Sequence, residues 1–296
     1  MQPMYSNLGH LSYKSTSSVT VKKNQNSSYT YLLTSTGWLC LISLLLSCNK
    51  EDLPLPLEGP ARVNKIVWTA NDYQHYTYLP DGKISRYVFQ WVYINDGSNA
   101  TRQVIADFTY HTTGSLDQVI FNSGFFNKYY YEGTVLKKME EYDNKNRLRL
   151  THHYTFNNQG QLKESVSQVH DLVEGEANQI QQIYSYNSRG NLTEHKMYNK
   201  PEGQPAFALS AITKYEAYDD KKSVDNLTIV FPYLPGTKFY ENNPGKQTMF
   251  GPDATTIISA QSYTYFYNDK GYPVQKSAYV QPAPPADPLP ALYEYE

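Results

Sequence analysis

Cysteine is scarce: Cys40 and Cys48 are the only two in 296 residues, so the body that follows residue 48 cannot hold a disulfide. Charge of one sign is not concentrated either. The formal net charge is −2, with no run of like charges and no stripe of Lys and Arg, which removes the electrostatic footprint that nucleic-acid binding needs. Long apolar runs are missing: the longest, Trp38 to Leu46, has nine residues, or sixteen if begun at Tyr31. Both fall short of the ~20 that cross a bilayer as a helix. The seven His are scattered, and only His152 and His153 are adjacent. On a strand such neighbours point to opposite faces and cannot chelate one ion, so no metal site is expected. No nucleophile elbow, phosphate loop or H-E-x-x-H is present, and no cofactor is implied. The carboxylate pairs Glu140–Glu141 and Asp219–Asp220 sit beside expected turns and read as solvated strand ends. Whether either reaches the ~5–9 Å spacing of a glycosidase acid/base pair is a tertiary property.

What is present begins with an address. Lys14, Lys22 and Lys23 precede the apolar run, and no acidic residue occurs before Glu51, which is the order of a signal peptide. The polar, Ser-rich first 20 residues exceed what such a signal needs, and Val21 in "VKKNQ" is a fitting true start. "LLSC", Leu45 to Cys48, resembles a bacterial lipoprotein lipobox, which implies cleavage after residue 47 and lipidation of Cys48. Asn49 is not the Asp that resembles an inner-membrane retention signal, and "CNKED" looks like the short signals that send lipoproteins of the Bacteroidetes group to the cell surface. The expected location is the outer membrane, lipid-anchored, with surface display as a further step. Without residues 1–47 and their three lysines the chain keeps 23 basic and 28 acidic groups, a net of −5. Residues 48–60, with "LPLPLEGP", form an extended, semi-stiff tether.

The second feature is tyrosine, 29 residues against 11 Phe and 3 Trp, a composition that favours strands. It recurs in a frame: an aromatic, a Gly four residues on, an aliphatic two further. "YTFNNQGQLKE" and "YSYNSRGNLTE" carry it at Phe156, Gly160, Leu162 and at Tyr186, Gly190, Leu192. It returns at Tyr78, Gly82, Ile84, at Tyr110, Gly114, Leu116, and at Tyr129, Gly133, Val135. With Asn or Lys in the Gly place it fits Tyr142, Asn146, Leu148 and Tyr218, Lys222, Val224, and Tyr267 with Gly271 gives an eighth copy. Such a frame describes a hairpin: a strand ends in a type I turn, the Gly takes φ > 0, and the next strand starts. Asn146 tolerates that conformation and Lys222 does not, so the Lys222 copy reads as degenerate. Steps of 13 to 49 residues between copies correspond to one strand, two strands, or strands with long loops. The fold class is all-β: an up-and-down antiparallel meander of about a dozen long strands, either a twisted open sheet or a closed barrel. Residues 61–280 make this domain, and 281–296 a Pro-rich tail.

These stretches resemble YD/RHS-type repeats. The C-terminal "YDDKKSVDNL", "ENNPGKQ" and "YTYFYNDKGYPVQKS" are similar to lipoproteins of the Bacteroidetes group that carry a porin-like domain of unknown function. The resemblance implies a fold and a location and no active site. A membrane barrel needs an apolar alternate face, and "QLKESVSQ" and "NLTEHKMY" put polar residues on both alternations. The expectation is therefore a non-enzymatic envelope lipoprotein, a binding or scaffold module for a glycan or an envelope protein, held to the membrane by its lipid. The alternative is an enzyme acting on a polysaccharide or other envelope polymer, with acids from the loops between 220 and 260. The candidate ligand-facing aromatics are Trp68, Trp91, Tyr184, Tyr186, Tyr263, Tyr265 and Tyr267.

Overall fold

The computed structural model describes residues 62–95, 98–170, 177–224, 233–281 and 290–296. The signal segment, Val21, Cys48 and the tether lie outside the described residues. Among the described residues sixteen strands run in order. They are β1 Val63–Val67, β2 Tyr73–Tyr78, β3 Ile84–Asn95, β4 Ser98–Tyr110, β5 Leu116–Phe121 and β6 Phe126–Glu132. Next come β7 Val135–Tyr142, β8 Leu148–Phe156, β9 Leu162–Val169, β10 Ala177–Tyr186 and β11 Leu192–Pro201. The last are β12 Ala208–Glu216, β13 Lys246–Phe250, β14 Ile257–Tyr267, β15 Pro273–Gln281 and β16 Ala291–Tyr295. Each strand pairs antiparallel with its neighbours in sequence, and β16 pairs with β1, so the meander closes into a barrel. The strand count exceeds a dozen, and residues 281–296 are more than a tail. β16 supplies the closing strand by pairing Leu292 with Val67 and Tyr293 with Ile66.

Seven connections share one geometry, at residues 79–83, 111–115, 121–125, 143–147, 157–161, 187–191 and 268–272. The first amide donates to the fifth carbonyl, and the fourth amide donates back to the first carbonyl. The fourth residue is Gly82, Gly114, Gly124, Asn146, Gly160, Gly190 or Gly271, each with φ between 61° and 88°. In four of these turns the first residue is Asp143, Asn157, Asn187 or Asn268. Its side-chain oxygen accepts the amides of the third and fifth residues at 2.9–3.1 Å. This local bonding pre-forms the turn without help from the sheet. Gly133 is built differently: Glu132 pairs directly with Val135, leaving a two-residue turn. The Lys222 copy forms no such hairpin among the described residues, and Lys222 makes an isolated bridge to Asn242.

Side chains alternate across the wall. Tyr76, Ala106, Phe108, Leu116, Tyr129, Met139, Leu162 and Leu192 are buried and face the lumen. Outward positions carry polar pairs: Arg86–Asp107 at 2.6 Å, Lys138–Glu140 at 2.8 Å and Lys196–Glu194 at 2.7 Å. A lipid-facing wall would need an apolar band at these positions. A ring of sixteen strands is wide enough to leave an aqueous channel, so its lumen must be either wet or filled.

Candidate functional site: the plugged mouth of the barrel

All but one of the turns that follow even-numbered strands are short hairpins at one end of the barrel, which Arg62 and Glu296 also reach. We call this end the mouth. Here the frame tyrosines have a specific task. Tyr78 donates its hydroxyl to the Val63 carbonyl at 2.7 Å, Tyr110 to Ile84 at 2.7 Å and Tyr186 to Leu162 at 2.9 Å, while Tyr218 donates to the Leu192 carbonyl. Tyr295 does the same to Pro273 across β15 and β16. In each case a Tyr at the end of one strand, or for Tyr218 two residues past it, clamps the first residue of the strand before it, where the sheet ladder has run out. Burial pushes the Tyr78 and Tyr110 hydroxyls up, so they remain donors at any physiological pH.

The exception among the mouth connections is the segment from Ala217 to Gly245 between β12 and β13. Its residues touch strands on opposite walls. Tyr240 packs on Tyr215 of β12 at 5.4 Å, whereas Tyr233 meets Phe108 of β4 edge-on at 5.4 Å and accepts the Tyr129 hydroxyl of β6 on its carbonyl at 3.0 Å. β12 and β4 are eight positions apart in the ring of sixteen, so the chain between Tyr233 and Tyr240 crosses the lumen. It is a plug, with Leu234, Phe239 and Tyr240 in the core.

Asn191 holds the plug on one side. It is 0% exposed, accepts the amides of Glu241 and Asn242 at 2.8 Å each, and donates to the Asn242 side-chain oxygen at 3.0 Å. The next amide, Leu192, donates to the Phe239 carbonyl at 2.8 Å. Asp219 is a second anchor, accepting the Asn243 amide at 3.0 Å, its side-chain nitrogen at 3.2 Å, and the Tyr267 hydroxyl. At Gly245 a Cβ would meet the Ala217 carbonyl oxygen at 2.7 Å, a close approach that only Gly permits.

Above the plug the mouth opens into a cavity of about 1540 Å³. Tyr78, Tyr110, Tyr131, Tyr154, Phe156 and Tyr233 supply its aromatic wall. Burial pushes the Tyr131 hydroxyl up to about 12. Arg62, Lys83, Lys137, Lys222 and Lys238 also line it, with Glu241 as its carboxylate among the described residues.

The seven aromatics singled out from sequence lie elsewhere, and none lines this cavity. Tyr184 is stacked on His195 at 4.8 Å and packs on Phe239 of the plug at 5.5 Å. Tyr186 is the clamp on Leu162. Tyr265 donates to the Pro244 carbonyl at 3.0 Å, Tyr267 to Asp219, and Tyr263 to Gln261 at 2.6 Å. Trp91 stacks on Phe89 at 4.9 Å, and Trp68 follows β1 at the far end from the mouth.

The acidic pairs separate. Glu141 bonds His152 at 3.0 Å on the lumenal side, while Glu140 faces out and accepts Lys138, Tyr130 and Tyr142. Burial opposes ionisation of Glu140, and these three donors override it and hold the carboxyl down at about 2. Asp219 is bound into the plug, and Asp220 is exposed beside Lys221. One chain of polar groups escaped the sequence reading: Ser167 Oγ lies 2.7 Å from His152 Nδ1, and His152 Nε2 lies 3.0 Å from Glu141. It has the residue types of a hydrolase triad. Ser167 is only 3% exposed and is not among the cavity-lining residues, so no ester or glycoside reaches it from the mouth. The group cross-links β7, β8 and β9.

Comparison with known proteins bears on the fold. A porin-like protein from Bacteroides uniformis is similar with a TM-score of 0.52 at 12% identity, over 80% of this chain and 99% of its own. A porin-like protein from Bacteroides vulgatus shows 12% identity over the same shares, with a TM-score of 0.37. The first likeness shows a shared barrel fold and nothing about activity. No family model and no curated protein matches the chain.

Proposed function

We propose that this protein is an outer-membrane lipoprotein, anchored through Cys48, whose barrel is a binding module without turnover. The observation that carries this is the mouth: a cavity of about 1540 Å³ with an aromatic wall in which Tyr78 and Tyr110 are fixed in place by their clamps. Rings already held by hydroxyl-to-carbonyl bonds lose little conformational freedom when a ligand arrives, which favours affinity. The volume exceeds the ~300–1,000 Å³ of small-molecule sites and suits an oligomer.

The polar outer wall supports a barrel standing in water beside a membrane, and the plug supports closure rather than conduction. The porin-like likeness and the lipobox are consistent with an envelope location. Glycan-array binding by the chain with Cys48→Ser, run beside an assay for released reducing ends, tests the reading. Binding without release is expected. Sugar release that survives purification and vanishes with Asp219→Asn and Asp220→Asn would replace it with the enzyme alternative.

A further inference from the structure

The residues that line the cavity are more basic than the molecule as a whole. The body from Cys48 onward is net −5, yet five basic side chains line the cavity against Glu241. Their present partners are loose and solvent-facing. Arg62 lies 3.9 Å from Glu296, Lys137 is 3.4 Å from Glu132 and Lys238 is 3.5 Å from Glu241, each with both side chains at least 39% exposed. Lys83 is closer to Asp81, at 2.6 Å, and this pair too faces solvent. Exposed pairs of this kind contribute little and exchange readily for a better anion. Lys222 sits over the Tyr272 ring at 5.7 Å. Arg62 and Lys83 sit over Tyr78 and Tyr110 in the same manner, at 5.9 and 5.4 Å. The rim thus repeats one unit, a cation poised on an aromatic ring.

Resting on the binding-module reading, we infer that the ligand of the mouth is an acidic glycan, a chain of sugar rings bearing carboxylate or sulfate groups. The repeated unit matches that chemistry in both parts. A sugar ring offers its C–H face to a tyrosine as the cation swings off that ring to meet the sugar's acidic substituent, so successive residues of one chain can engage successive units of the rim. An acidic peptide would satisfy the cations but offers no flat face at each step. A neutral glycan would use the rings and leave the cations idle.

The test uses the chain with Cys48→Ser and four probes of similar length: oligogalacturonate, dextran sulfate, neutral dextran and polyglutamate. Titration calorimetry at low salt is expected to show binding of one or both acidic glycans. The affinity should fall by roughly tenfold or more when Lys83, Lys222 and Lys238 are all changed to Gln, with the melting midpoint unchanged. Lys163→Gln, outside the cavity, should leave it as it was. The carboxylate and sulfate arms identify which acid is preferred. Equal binding of neutral dextran, or binding of polyglutamate as tight as either acidic glycan, overturns the acidic-glycan assignment and leaves a binding module standing. Absence of binding by all four overturns the assignment too, and a silent glycan array beside it removes the binding-module reading as well.

Discussion

Removing the Asn191 side chain should open the plug without unfolding the barrel. Asn191→Ala deletes three hydrogen bonds: two accepted from the Glu241 and Asn242 amides at 2.8 Å and one donated to Asn242 at 3.0 Å. At about 0.5–1.5 kcal/mol net for each, the loss is roughly 1.5–4.5 kcal/mol. It falls on the equilibrium between the docked and undocked segment, because no strand pairing is removed. The upper part of that range is reached only if both amides stay buried without partners, and a plug that swings into water rehydrates them.

A loss near 3 kcal/mol corresponds to about a hundredfold change in the opening equilibrium. Hydrogen exchange read by mass spectrometry reports that equilibrium directly. Amides between Leu234 and Asn243 should exchange about a hundredfold faster in Asn191→Ala, and those of the β6–β7 hairpin at the original rate. Asn191→Asp keeps the two acceptor contacts and should lie between. Unchanged exchange across the segment in Asn191→Ala would refute the view that Asn191 holds the plug.

Four further outcomes follow from the same geometry. Cys48→Ala should release the protein from membranes and abolish fatty-acid labelling, and a variant that still sediments after an alkaline carbonate wash would end the lipoprotein proposal. Gly160 has φ 77° and open space around it, so Gly160→Val should cost about 1–2 kcal/mol through backbone strain alone, while Asn146→Gly should be neutral or mildly stabilising; thermal melts decide both. Burial lowers the His195 ring to about 4 from 6.5. The unfolded chain therefore takes up that proton first, and stability should fall as pH drops from about 6.5 to 4, by up to roughly 3 kcal/mol, with a shallower slope in His195→Gln. Ser167→Ala should lower the melting midpoint and leave any measured ligand affinity unchanged, since Ser167 is buried outside the cavity.

The wall was legible in the sequence because its signals are local. Asn157 and Gly160, or Asn187 and Gly190, form their turns from bonds spanning four residues, so pattern and structure coincide. The 121–125 turn has the same geometry yet escaped the frame, because Ile120 stands where the aromatic was sought and Phe126 where the aliphatic was. The closing strand escaped for another reason. β16 has five residues and meets β15 at only two registered pairs, so most of its pairing comes from β1 at the opposite end of the chain. Closure was unreadable for the same reason.

The plug shows the limit most clearly. From sequence Asn191 is one more polar turn residue, and the amides its side chain accepts lie 50 and 51 positions away. The same holds for tyrosine. A stripe such as Tyr263, Tyr265 and Tyr267 reads as a ligand face only if nothing fills the lumen. Once the chain between Tyr233 and Gly245 crosses it, Tyr265 and Tyr267 become the seat of the plug, and the cavity's aromatic wall lies at the mouth. Which aromatic face this barrel offers is therefore decided by the long connection between β12 and β13 rather than by its strands, and the ligand-facing residues belong to the side of the plug on which the chain leaves space.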